Sequence, residues 1–282
     1  MKILLVNVPA AEEDGESGQF FKTVMVPLLR RNLDLVKQKD TEVTFRFSRW
    51  GLTGMEAIFY NYIDYLDTRL AFHAAANAKE EGFDAVMIAC FGDPMLWEIR
   101  QALDIPVVSI GESSMLLATV MGYKFGVVTI SPLNIIGQEH HIAKYGLRER
   151  SVGVRAIPES GDEQVMAMQD ARHTIECFKK VARELIADGA EVIIPGCALM
   201  SPSLRLAPGA EKDYPNGLTE VDGVPVADVI GDTIKMAETL VALRRAGSSW
   251  VSRKGLYAQA TPRAKEIAQM VLKDDRLVFW DY

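Results

Sequence analysis

Two cysteines stand just past apolar, strand-like runs, and each leads into a turn of small residues. Cys90 follows Ala85-Val86-Met87-Ile88-Ala89 and precedes Phe91-Gly92-Asp93-Pro94; Cys197 follows Val192-Ile193-Ile194-Pro195-Gly196 and precedes Ala198-Leu199-Met200. Ligands of open α/β sheets bind at the carboxyl ends of the strands. One thiol from each half of the chain could therefore meet a small substrate from opposite sides. One would remove a proton and the other supply one, the division of labour that general acid–base catalysis requires.

The local signals sharpen this. Asp93-Pro94 predicts a helix start, with Asp93 as N-cap and Pro94 at the first helical position. Ser201-Pro202 offers a similar pair after Cys197. Free N–H groups and the positive dipole end at such starts favour anions and lower a neighbouring thiol's pKa. A free cysteine is also a small buried hydrophobe, and a lone one after a strand says no more than that. Two in matched settings favour chemistry. Cys177, inside the helical run from Thr174 to Leu185, reads as packing.

Positioning these thiols requires strands alternating with helices. Strand-like runs lie at 2–8, 42–48, 84–89, 106–110, 124–130, 151–156, 191–195 and 224–227. Helical periodicity covers about 19–38, 55–81, 95–103, 112–121, 133–145, 162–188 and 229–246. The alternation predicts an α/β protein with parallel sheets flanked by helices. Several strands are apolar almost throughout, as expected where helices cover both faces.

The run Lys2-Ile3-Leu4-Leu5-Val6-Asn7-Val8 resembles Lys124-Phe125-Gly126-Val127-Val128-Thr129-Ile130, and each half then delivers a strand ending in cysteine. This predicts two pseudo-symmetric lobes. Residues 1–111 and 224–282 would form a discontinuous first lobe, and residues 112–223 the second. Prolines and glycines at 201–223 predict a long loop leaving directly from Cys197, readable as a lid or as a solvated insertion. Thr261-Pro262 predicts a capped helix over 262–273. The apolar tail Leu277-Val278-Phe279-Trp280 should pack on a lobe or on a partner subunit, which makes a homo-oligomer the expectation.

Other chemistries lack their motifs. There is no glycine-rich dinucleotide fingerprint, phosphate loop or serine elbow. His140-His141 point to different helix faces and read as a surface pair; His73 and His173 read as ordinary helix residues. No metal site and no cofactor are therefore expected. Phe59, Tyr60, Tyr62 and Tyr65 fall at helical spacing and predict core or interface packing.

Composition sets the outer bounds. The 282 residues suffice for one large or two smaller domains, and 49% are hydrophobic, enough for a full core. A net charge of −7 argues against nucleic acid as a partner. Three cysteines, an odd number, argue against a secreted disulfide framework and for a cytoplasmic protein. The apolar run at the N-terminus is short and reads as a first strand rather than a leader. No run approaches the roughly 18–20 apolar residues of a membrane span.

The sequence Ala89-Cys90-Phe91-Gly92-Asp93-Pro94, with Gly196-Cys197-Ala198-Leu199-Met200, resembles the hydantoin and allantoin racemase branch of the aspartate/glutamate racemase superfamily. Ile110-Gly111-Glu112, Val127-Val128-Thr129 and Asp188-Gly189-Ala190-Glu191 extend the likeness, which covers roughly residues 1–246. The resemblance implies an active site in a cleft between the two lobes and a cofactor-independent isomerase with Cys90 and Cys197 as the acid/base pair. It implies backbone donors from Phe91, Gly92 and Ala198 toward a carboxylate or imide oxygen. Thr129 would add a hydroxyl, and Asn7 a polar contact by symmetry. The substrate would be a small molecule with a carboxylate, imide or amide carbonyl, a hydantoin-like ring being favoured. Same-fold relatives include arylmalonate decarboxylases and maleate isomerases, and a non-catalytic two-lobed binding protein is the third reading. Three departures lie around the cleft. Asn7-Val8-Pro9 replaces Asn-Pro-Asn, and Met95 and Leu199 stand where the branch usually has glycine. Leu199 thus predicts a pocket of altered shape.

Overall fold

Alternation along the strands decides which helices cover which side of the first sheet. A computed structural model describes residues 1–7, 15–49, 60–158, 161–272 and 279–282. Strands β1 (Lys2–Val6), β2 (Glu42–Ser48), β3 (Ala85–Ile88) and β4 (Val107–Ser109) run parallel in the order β2-β1-β3-β4. Side chains alternate faces with period two. Ile3, Leu5 and Met87 join one buried cluster with Leu29 and Leu33 of α2 (Val26–Val36) and Ile234 and Val241 of α10 (Val229–Arg245). Leu4, Val6, Val86 and Ile88 join another with Ala71 and Ala75 of α3 (Asn61–Ala75) and Leu96 and Ile99 of α4 (Leu96–Ala102). Both faces are covered, which is why β1 and β3 read as continuous apolar runs.

The second sheet is smaller. β5 (Phe125–Thr129) lies between β6 (Ser151–Ala156) and β7 (Val192–Pro195), all parallel. Helices α6 (Ile135–Lys144) and α8 (Arg172–Ala187) pack against β6. α5 (Ile110–Met121) touches β4 and α10 of the first sheet's layer and β5 and β7 of the second. The larger buried cluster is continuous through this junction, from Ile3 and Leu5 to Phe125, Phe178 and Ile193.

Most elements fall where the residue pattern places them, with four differences. Residues 201–223 are not an irregular loop. They hold α9 (Met200–Leu206), hydrogen-bonded turns, and β8 (Glu220–Val221) paired antiparallel with β9 (Val224–Pro225). Val226 then bridges Ile193 of β7. Prolines signalled a break, but Pro202 sits in the first turn of α9, where its missing N–H costs nothing. Ser201 caps no helix of its own; its hydroxyl accepts from the Val229 N–H at 3.2 Å. The helical stretch 162–188 divides into α7 (Gly161–Met166) and α8. Residues 16–36 form α1 (Glu16–Phe20), one π turn and α2.

Near the C-terminus, α11 (Pro262–Leu272) starts at the proline, with the Thr261 hydroxyl accepting from the Ala264 N–H. The tail contributes β10 (Phe279–Asp281), antiparallel to β2 at the edge of the first sheet. Asp281 and Glu81 hold the buried Arg46 guanidinium there, and their charges and hydrogen bonds raise its pKa despite burial. The tyrosines of α3 are not core: Tyr60, Tyr62 and Tyr65 are all more than half exposed. Phe59, Val8 and Pro9 lie outside the described residues.

Candidate active site

Strand register puts each cysteine next to one polar residue from the neighbouring strand. In the first sheet Val6 pairs with Ile88, and the Ala89 N–H bonds to the Val6 carbonyl at 2.9 Å. Asn7 therefore flanks Ala89-Cys90 at the carboxyl edge. In the second sheet Val128 pairs with Pro195, and the Gly196 N–H bonds to the Val128 carbonyl at 2.8 Å. Thr129 flanks Gly196-Cys197 in the same way. The two edges are thus built alike: a buried polar residue at the end of one strand, a cysteine just past the next.

The loop after Cys90 departs from the expected helix start. Asp93 and Met95 both adopt left-handed backbone, at φ 47° and 53°, and α4 begins only at Leu96. Asp93 caps a different helix. Its carboxylate accepts from the Gly111 N–H at 2.9 Å and the Glu112 N–H at 2.8 Å, at the start of α5. It also accepts from the Tyr145 hydroxyl at 2.5 Å. The reason is steric and electrostatic together: left-handed backbone turns the Asp93 side chain away from α4, toward free N–H groups of a longer helix. Gly111 makes this approach possible, since a Cβ there would lie 2.6 Å from both Asp93 Oδ2 and the Phe91 carbonyl oxygen. Burial pushes the Asp93 carboxyl up to about 6, against the pull of its hydrogen bonds. The Cys90 carbonyl accepts from the Asp93 N–H at 3.1 Å and the Ser109 hydroxyl at 3.4 Å. Arg100, paired with Glu112 and bonded to the Val107 carbonyl, fixes α4 against the start of α5.

Cys90 is half-buried and Cys197 buried. Gly92 opens the space beside the first thiol: a Cβ there would sit 3.7 Å from Cys90 Sγ and 4.0 Å from His141 Cε1. The Phe91 side chain is packed in the core, which leaves only its backbone for a ligand. At the second thiol the Leu199 N–H points at Cys197 Sγ, 3.4 Å away, and the Met200 N–H also bonds to it. The expected lowering of this thiol's pKa does not occur. Burial pushes it up, and the two backbone hydrogen bonds offset that only in part. The Ala198 and Leu199 side chains are buried against the same core cluster.

Helix α6, which falls within the expected helical stretch 133–145, connects the two edges through Gln138 and Tyr145, residues that no motif singles out. The Gln138 side-chain amide donates to Thr129 Oγ1 at 2.8 Å and to the Gly196 carbonyl at 3.1 Å. One turn on, His141 is half-buried rather than on the surface, while His140 is exposed. Burial, then the charges of Lys144 and His140, lower the His141 pKa to about 4, so its ring is neutral near pH 7. That ring stacks on Tyr145 with 6.5 Å between centroids. Tyr145 stays a phenol, its pKa raised by burial and by the Asp93 charge. Residues 138, 141 and 145 share one face of a helix. That spacing after β5 was the available signal.

Elsewhere, Cys177 Sγ lies 3.5 Å from His173 Nε2 on α8, away from both edges. Among the described residues no three His, Cys, Asp or Glu side chains converge as a metal site. Among them, too, no helix is long and apolar enough to cross a membrane.

The chain is similar in sequence and in fold to known proteins. A family model described as Asp/Glu/Hydantoin racemase matches residues 28–237. A hydantoin racemase from a Pseudomonas species is 32% identical over 208 residues, 73% of this chain and 76% of that protein. One from Rhizobium meliloti is 31% identical over 194 residues, 68% of this chain and 72% of that protein. The crystal structure of an allantoin racemase from Pseudomonas fluorescens superposes with a TM-score of 0.71 at 27% identity, covering 93% of this chain and 98% of that one.

Proposed function

The chain belongs to the Asp/Glu/hydantoin racemase family, and on that premise we propose that it is a cofactor-independent racemase with Cys90 and Cys197 as its acid/base pair. It acts at a C–H beside a carbonyl, and a hydantoin-like ring is the favoured substrate. The observation that carries this reading is the matched construction of the two sheet edges. Each sets a cysteine beside a buried polar residue of the neighbouring strand.

The unequal surroundings of the thiols supply the asymmetry the reaction needs. Cys197, its pKa raised by burial, rests as the thiol. Cys90, the less buried of the two, is assigned the role of the thiolate. The Cys90 thiolate takes the proton from the substrate carbon, and the electron pair moves onto the adjacent carbonyl as an enolate. Cys197 delivers its proton to the opposite face of that carbon. The thiol and thiolate have then exchanged places, and the enzyme stands ready for the other enantiomer. Charge developing on the enolate oxygen is met by N–H and O–H donors at the edges, among them the backbone of Gly92 and Ala198 and the Thr129 hydroxyl. Two such groups with protonation states held apart by environment satisfy the general rule for acid–base pairs.

Solvent exchange tests this directly. In D2O the protein should place deuterium at C5 of a 5-substituted hydantoin while optical rotation decays. Cys90→Ala and Cys197→Ala should each lower the rate by about 10³-fold, within the range of general acid–base contributions. Undiminished turnover by the double variant would sink the proposal. Exchange confined to aspartate or glutamate would move the substrate away from the ring, exchange confined to allantoin, itself a 5-substituted hydantoin, would narrow it, and carbon dioxide release from a substituted malonate would move the reaction class.

A further inference from the structure

Both cysteine edges are fastened to the same helix by side chains two turns apart. Gln138 reaches the Cys197 edge. Its amide spans the Thr129 hydroxyl and the Gly196 carbonyl, and so fixes the peptide plane that leads into Cys197. Tyr145, the residue that ends α6, reaches the Cys90 edge through the Asp93 carboxylate. Asp93 in turn donates its N–H to the Cys90 carbonyl and grips the start of α5. Between them the His141 ring packs on Tyr145 and faces the gap beside Cys90 Sγ. Seven residues of α-helix measure roughly 10 Å along the axis. A helix is stiff over that length, whereas the two loops it holds are not regular structure.

We infer that α6 is the gauge that sets the separation of the two thiols, with Gln138 the positioning residue for Cys197 and Tyr145, acting through Asp93, the positioning residue for Cys90. The inference rests on the two-cysteine reading. It goes beyond it by assigning the spacing to one element and one residue per thiol. The need for such a device follows from the chemistry: two groups on opposite faces of one carbon must both be within proton-transfer reach, and an error of about 1 Å can cost 100-fold in rate. The Cys90 loop needs holding for a second reason. Two non-glycine residues in left-handed conformation, Asp93 and Met95, lie within three positions. Such backbone persists only where its surroundings impose it.

The test reads each thiol separately. Wild-type protein and the variants Tyr145→Phe and Gln138→Met are treated with iodoacetamide at neutral pH, and alkylation of Cys90 and Cys197 is timed by peptide mass spectrometry. Tyr145→Phe should change the Cys90 rate at least threefold and leave Cys197 within a factor of two. Gln138→Met should do the reverse. Asp93→Asn should reproduce the Tyr145→Phe pattern, and Gln138→Glu, which can donate only when protonated, should fall between wild type and Gln138→Met. These two conservative changes decide the matter if either first variant fails to fold. Unchanged rates at both thiols, or equal changes at both in every variant, would overturn the inference. A second arm uses the enantiomers of 5-benzylhydantoin in D2O. Each variant should invert less often per proton removed, raising substrate returned without inversion at least threefold relative to product; an unchanged ratio counts against the gauge. Wild-type protein that exchanges neither a hydantoin nor aspartate or glutamate would instead defeat the proposed function, while the alkylation rates still decide the positioning roles.

Discussion

The two cysteine loops occupy equivalent places in their sheets and are controlled by different forces. At Cys197 the control is burial and backbone. The sulfur is out of water, two N–H groups of its own turn reach it, and its pKa rises because desolvation outweighs them. At Cys90 the control is a side-chain network. The thiol is half-buried, and the loop behind it hangs on one carboxylate that joins α5, α6 and the strained turn. The contrast teaches that equal topology does not mean equal electrostatics. For the proposed proton-transfer pair, burial favours the thiol form of Cys197, whereas Cys90 stays nearer to solvent.

The comparison breaks most severely at Gly111. A Gly111→Ala change places a Cβ 2.6 Å from the Phe91 carbonyl oxygen and from the Asp93 carboxylate. One of these is backbone and cannot step aside. Overpacking of this kind costs about 1–3 kcal/mol, and the carboxylate loses its cap geometry as well. The Cys90 half should fail while the Cys197 half persists. Turnover should drop by about 100-fold, and Cys197 should keep its wild-type alkylation rate, both measured on the folded variant.

A smaller and signed effect comes from pH. The Asp93 carboxyl sits at about 6 in the fold against 3.8 for an unperturbed aspartate. Facing it are Tyr145 of α6, Glu112 of α5 with its partner Arg100 of α4, and the Ser109 hydroxyl. A raised carboxyl binds its proton more tightly in the folded state. It therefore favours folding below pH 3.8, and that contribution is lost as pH climbs through about 6. A shift of about two units corresponds to about 3 kcal/mol. Denaturant titrations should show the stability of wild type relative to Asp93→Asn declining between pH 4 and 7. A difference that rises with pH over that window would contradict the assignment of burial as the dominant cause.

The smallest effect expected is at Met95. Left-handed backbone costs a residue with a side chain about 1–2 kcal/mol, and glycine nothing beyond its greater entropy when unfolded. Met95→Gly should thus stabilise the protein by about 0.5–1 kcal/mol, read as a modest rise in melting temperature. A fall would mean that the Met95 side chain, which packs with Leu96 and Ile99 beside α4, contributes more than the strain costs.

Much of this molecule was legible in the chain. The apolar runs ending at Ile88 and Pro195 announced strands covered on both sides, and both cysteines fall just past the carboxyl ends of those strands. The second position in each edge, Thr129 and by symmetry Asn7, came from the family resemblance rather than from any local pattern. What escaped was every interaction that crosses from one element to another. Asp93-Pro94 has the composition of a helix start, and local preference alone assigned the carboxylate to α4. Its actual partners, Gly111 and Glu112, are 18 and 19 residues away in sequence. His140-His141 looked like a pair on a solvated face, yet helix orientation half-buries the second and exposes the first. The prolines between 201 and 223 suggested an open loop, and α9 formed because its first turn tolerates one.

The sequence by itself determined the strands, the places of Cys90 and Cys197 at their ends, and the α/β class, because period and composition act over a few residues and need no partner to be read. Only the tertiary structure decided the rest: which helix Asp93 caps, that Cys197 rather than Cys90 is sealed from water, and that α6 touches both cysteine edges. Those outcomes depend on distances between segments far apart in the chain. Desolvation and hydrogen-bond geometry have no value until packing has set those distances.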